Sequence, residues 1–201
     1  MPIRTQPAPT AAMTSLREAQ TWQEAGGVRA ASAPAVLEGE PARLPPHPLY
    51  YLGASQLVAG SMQAAVLIGW RHLVEEQGTL WAAVTESVED RSYRLARKHQ
   101  LDAVEARFSR MDALDGLVPG RDDYGLRALA APPLMSLGLW LVEPLQRDNL
   151  IIPLHGCVRG LALGEACTEA RFLELVQGPA RTLMEFVPRP RTRQQPEAQN
   201  D

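Results

Sequence analysis

The feature that most constrains this chain is where its prolines are missing. There are 17 prolines in 201 residues, yet none falls between Gly53 and Leu117. Proline breaks a helix interior, so this segment is the part of the chain able to run as unbroken helix. Stepping by three and four from Met62 through Val66, Trp70, Leu73, Gln77, Leu80, Val84, Val88 and Arg91 to Leu95 keeps one helical face in view. The middle of that face, Val66 to Val84, reads as a short heptad seam with Gln77 as its polar member. A second apolar set, Leu101, Val104, Phe108, Met111 and Leu114, implies a bend or a second helix, and DGLVPGRDDYG with Pro119-Gly120 ends the segment. The expected fold is mostly α: a long amphipathic helix or helical hairpin, shorter C-terminal helices and disordered termini.

The same region contains LYYLGASQLVAGSMQAAVLIGW, Leu49 to Trp70, without a charged residue. A membrane-spanning helix needs roughly twenty mostly apolar residues. This stretch is interrupted by Ser55, Gln56, Ser61, Gln63 and three glycines, and its stripe continues into the charged RHLVEEQ. It therefore reads as an amphipathic face that packs on the chain's own helices or meets an outside surface, with no transmembrane span.

Four regions follow. Residues 1–48 form a Pro/Ala-rich, largely disordered arm, relieved by SLREAQTWQEAGG, where Ser15 and Glu18 fit a capping box for a short helix carrying Trp22. Residues 49–118 are the long amphipathic helical region. Residues 119–187 are a shorter apolar helical or irregular region, including TEARFLELVQGP with Thr168 as N-cap, Glu169 in the first turn and Gly178-Pro179 as the stop. Residues 188–201 are a disordered tail.

Net charge of -3 gives no basic footprint for nucleic acid. The two cysteines, Cys157 and Cys167, make no disulfide framework, and the N-terminus lacks a signal-peptide core, so a cytoplasmic location is expected. Candidate chemistry is sparse. HGCVRG puts His155 two residues from Cys157, which on a strand would share a side and could activate the thiol. His72 with Glu75 and Glu76 has helical i, i+3, i+4 spacing, which fits a solvated face better than a metal. In EDRSYRLARKHQ, Arg91, Arg94 and Arg97 spread around a helix. No phosphate loop, GxSxG elbow or HExxH occurs, and zinc-ligand spacing is missing, so neither a metal nor a cofactor is expected.

The segment QLVAGSMQAAVLIGWRHLVEEQGTLWAAVTESVEDRSYRLARKHQLDAVEARF, within about Leu57–Met111, resembles a phasin in its proline-free amphipathic character and its Ala and Gln alternating with apolar residues. Phasins coat polyhydroxyalkanoate granules in bacteria, so the resemblance implies a non-enzymatic, granule-associated scaffold. Its binding face would be Met62, Val66, Trp70, Leu73, Leu80, Trp81 and Val84, used for self-association, for a partner helix or for peripheral attachment to an apolar surface. The alternatives are an enzyme or enzyme subunit with a His155/Cys157 site, and a helical adaptor docking through its proline-rich N-terminal arm.

Overall fold

The computed structural model describes residues 3–25, 45–88, 92–118, 123–145 and 147–186, the side chains of 20–25 excepted. The proline-rich stretch 26–44, Arg91, the Pro119-Gly120 turn, the Trp22 side chain and the tail 188–201 lie outside the described residues.

The fold is mixed α/β around a 9-stranded sheet, which overturns the expected mostly α fold of a long amphipathic helix or helical hairpin, and with it the phasin resemblance. Strand β1 is Ile3–Arg4 and helix α1 is Thr10–Ala25; then come β2 (His47–Tyr51), α2 (Ala54–Ala59), β3 (Val66–Glu76), β4 (Thr79–Ser87) and β5 (Tyr93–Gln100). Two short helices, α3 (Ala103–Arg107) and α4 (Met111–Asp115), lead to β6 (Tyr124–Ala131), β7 (Ser136–Val142) and β8 (Leu150–His155). The two-residue β9 (Cys167–Thr168) precedes α5 (Glu169–Phe186). The strand order is β5-β4-β3-β2-β6-β7-β8-β9, with β1 pairing on β6. Pairing is antiparallel except β2 with β6 and β1 with β6.

The predicted long helix fails at one dipeptide. Gln77 and Gly78 have φ of 51° and 75°, and they join Glu76 to Thr79 across a paired hairpin. Two consecutive positive φ values match the hand of a two-residue strand turn and are foreign to a helix. VLIGW and TLWAAVT are also rich in β-branched and aromatic residues, which suit a pleated surface. Positions Gly69 to Val74 are buried on both sides of the sheet, so their apolar residues fit a helical period as readily as a strand period.

The expected binding face is accordingly dispersed. Leu73 and Leu80 belong to the core of the concave side, and Val84 lies beside them against Leu49 and Ala128. Trp70 and Trp81 alternate to the convex side, Met62 sits in a 3-10 turn beneath α5, and Val66 is half exposed at the start of β3.

The sheet curls. His99 on β5 and His155 on β8, far apart in strand order, have ring centroids 5.9 Å apart. Register shifts at Leu49/Tyr50, Val84/Thr85 and Leu137/Gly138 supply the bends. Gly69 lets β3 and β4 approach closely at one of them, since a Cβ there would stand 2.0 Å from the Thr85 carbonyl oxygen. Inside the curl, Phe108, Met111 and Leu114 pack on Leu73, Leu126, Leu139, Leu141, Ile152 and Leu154. Outside it, Leu16 of α1 covers Val74 and Ala83, and Phe172, Val176 and Ala180 of α5 cover Leu129, Trp140 and Ile151.

The helix limits differ from the sequence reading in two places. α1 starts at Thr10, five residues before the predicted cap, and Ser15 instead donates its hydroxyl to the Tyr93 carbonyl at 2.6 Å. Thr168 Oγ1 does accept the Arg171 amide at 3.2 Å, but α5 runs through Pro179 to Phe186, with Ala180 still buried on the sheet. Among the described residues, no helix is long and apolar enough to cross a membrane.

Candidate active site

The concave side is filled by α3 and α4 at one end and open at the other. At the floor of the opening lies an ionic cluster. Glu105, which is buried, stands in the first turn of α3, whose N-cap Asp102 accepts the Glu105 amide on Oδ1 at 2.9 Å. The Glu105 carboxylate has three partners. Arg71 of β3, itself fully buried, donates Nη2 to Oε1 at 2.8 Å. His99 Nε2 lies 3.1 Å from Oε1 and 2.9 Å from Oε2, and His155 Nε2 lies 3.1 Å from Oε2. Behind His155, Nδ1 is 3.3 Å from Asp102 Oδ2.

The electrostatics hold Glu105 ionised. Burial alone would push its pKa up; the His99 hydrogen bond, the Arg71 charge and the His155 hydrogen bond outweigh it and bring the pKa to about 2. His47, directly opposite Arg71 in the β2–β3 register, is pushed the other way: burial and then the Arg71 charge lower its pKa to about 3.

A proton count at His155 limits what the cluster can be. If Nδ1–H donates to Asp102, a neutral ring turns the lone pair of Nε2 toward Glu105 Oε2, which is also an acceptor. Two lone pairs 3.1 Å apart repel unless a cation stands between them. In that tautomer the cation is a second proton on His155 or a metal ion; in the other, Nε2–H donates to Glu105 and the Nδ1 lone pair faces Asp102. His99, Glu105 and His155 each offer a ligand atom, and these atoms lie within 4.8 Å of one another. Two imidazoles and one carboxylate make a donor set for a divalent transition metal, and a carboxylate behind a ligating imidazole is the usual arrangement that fixes the ring.

The cluster opens onto a cleft of about 390 Å³ walled by Arg71, Arg97, His99, Ser136, Leu137 and His155. Arg97, exposed on β5, forms no ion pair among the described residues, and the buried Nε of Arg71 has no hydrogen-bond partner there.

The His155 and Cys157 that the sequence places together turn to different partners. Cys157 lies beyond the end of β8 and is exposed, with Sγ 3.8 Å from the Leu134 carbonyl oxygen, while the imidazole turns to Asp102 and Glu105. Both cysteines are free thiols. The His72/Glu75/Glu76 grouping dissolves on a strand: His72 is buried on the convex side with Nε2 2.9 Å from Thr85 Oγ1, and Glu76 pairs with Lys98. The expectation of a non-enzymatic scaffold is corrected by the His99–Glu105–His155 cluster, whose ligand atoms stand close enough to share one ion. A local signal for it stood in HQLDAVE, where His99, Asp102 and Glu105 recur every third residue and Asp102 is a good N-cap for AVEAR. Comparison with protein-family models, curated proteins and solved structures gives no match.

Proposed function

We propose that the protein is an enzyme acting on a small anionic substrate, with a divalent transition-metal ion held by His99, Glu105 and His155 at the cleft floor. The observation that carries this reading is the convergence of both Nε2 atoms on one buried carboxylate, with Asp102 behind His155. Arg71 occupies Oε1 of Glu105, which leaves Oε2 for the ion. When bound, such an ion supplies Lewis-acid polarisation of a substrate oxygen or lowers the pKa of a bound water. The chain's own residues do the rest: Arg71 orients the carboxylate, Asp102 sets the His155 ring, and Arg97 with the Arg71 Nε attracts negative charge to the cleft. The two free thiols support placing this chemistry in a reducing, cytoplasmic setting.

The test is calorimetric titration of metal-free protein with Zn²⁺, Fe²⁺, Mn²⁺ and Ni²⁺. One equivalent should bind tightly and be lost in His99→Ala, His155→Ala and Glu105→Gln. Failure of all four ions to bind, or binding indifferent to these substitutions, overturns the reading. One observation favours a metal-free alternative: Arg71 already neutralises Glu105. In that case the His155 imidazole, set between Asp102 and Glu105, would itself carry the proton transfer, and turnover would survive chelation.

A further inference from the structure

On the convex side, between the 3-10 turn Met62–Ala64 and the start of α5, lies a second concavity of about 490 Å³. Its wall carries two half-buried charges of opposite sign, Arg127 of β6 and Glu169 of α5. Neither is paired with the other, and Arg127 forms no ion pair with any described residue.

Each is held where it stands. The Arg127 guanidinium carbon lies 4.8 Å from the ring centroids of both Tyr50 and Trp140, which meet edge to face at 5.7 Å. Aromatic rings hold a guanidinium through its π faces and leave its N–H edge free for a planar anion. Glu169 Oε2 accepts from Asn149 Nδ2 at 2.7 Å and from Trp140 Nε1 at 3.3 Å. Both donors are neutral, so they orient the carboxylate without cancelling its charge. Oε1 has no hydrogen bond among the described residues. Two opposite charges in one partly desolvated concavity gain by pairing. The rings hold one charge, Asn149 and Trp140 Nε1 hold the other, and no ion pair joins them, so a ligand carrying both complementary charges fits between.

We propose that this concavity binds a small zwitterion of the α-amino-acid class. The ligand carboxylate takes the N–H edge of Arg127, its ammonium donates to Glu169, and its carbon skeleton lies against Trp140 and Met62. The site is on the opposite side of the sheet from His99, Glu105 and His155, so it acts as a second ligand site independent of the metal reading.

The full chain is titrated with each standard L-α-amino acid by calorimetry, and with acetate and methylammonium as single-charge fragments. At least one amino acid should bind with Kd below roughly 10 mM and at least about tenfold more tightly than either fragment. Arg127→Met keeps an apolar stem between the rings, and Glu169→Gln keeps an acceptor for Asn149. Each should retain the wild-type melting temperature within a few degrees and weaken binding by at least about tenfold. Should either variant unfold, Arg127→Lys and Glu169→Asp replace it, and each should still weaken the amino acid more than it weakens the fragments. The proposal is overturned if no amino acid binds, if acetate binds as tightly as the best amino acid, or if affinity is unchanged in both folded variants.

Discussion

Two antiparallel meanders flank β2, and they bury very different things. In β6–β7–β8 the buried strand positions are apolar apart from Tyr124, with Leu139, Leu141, Ile151, Ile152 and Leu154 packed on both sides of the sheet. On the other side, β2, β3 and β4 bury His47, Arg71, His72 and Thr85. Most buried side-chain donors and acceptors that lack a described partner fall there too: His47 Nε2, Trp70 Nε1, Arg71 Nε, His72 Nδ1 and Trp81 Nε1. Unpartnered buried polar groups are costly, so the second meander carries the stability while the first gives some up to hold a charged site. The site needs both, because His99 comes from the first and His155 from the second.

The sharpest way to break this contrast is through the buried ion pair. Glu105→Leu leaves Arg71 charged and uncompensated, and should cost about 3–5 kcal/mol in urea unfolding. The double change Arg71→Met/Glu105→Leu should recover most of that loss, which separates the cost of an orphaned charge from any lost packing. Leu139→Ala in the second meander should cost roughly 2–5 kcal/mol, with no second-site change of charge able to rescue it. If Leu139→Ala proved nearly neutral, the assignment of stability to that meander would fall.

Acid should act on β2, the first meander and the α3 carboxylate packed against it. The folded pKa values of His47, about 3, and His72, about 4, lie below the usual 6.5, in both cases chiefly through burial. Between those values the unfolded chain takes up protons that the folded chain refuses, so stability falls as pH drops from 6.5. Each should contribute a loss of about 2 kcal/mol by pH 5. Glu105 works in a lower window: its stabilisation is lost only as pH falls from 4.5 towards 2. His72→Gln should flatten the thermal-melt profile between pH 6.5 and 5, and an unchanged slope would remove His72 from the explanation. The smallest expected effect belongs to Asp102→Ala, about 1 kcal/mol through the lost cap of α3, together with roughly 10–100-fold weaker metal binding. Equal metal affinity in the variant would show that the contact with His155 is incidental.

The same contrast explains what could be read from the sequence. Thr168 was legible as an N-cap because capping is local chemistry. His155 stood out, but its partners are set by the curl of the sheet, which no short window of residues encodes. The strands of the first meander imitated a helix because positions such as Trp70, Leu73, Val74 and Val84 are all apolar and buried on one side or the other, leaving no alternation to see. Gln77-Gly78 gave that region away, with the β-branched and aromatic residues on either side of it. The HQLDAVE spacing was visible, yet it gains meaning only once β5 ends at Gln100 and α3 begins at Ala103, so that a strand residue and a helix residue face the same point.

Asp102 joins two events that a spectroscopist would otherwise follow separately. One oxygen of its carboxylate holds the amide of Glu105, and the other holds the ring of His155. Any occupant that fixes the ring also fixes the first turn of α3, so the Glu105 amide should exchange its hydrogen with solvent more slowly whenever the cleft floor is loaded. A single backbone proton thus becomes a gauge of site occupancy, readable without any assay of turnover.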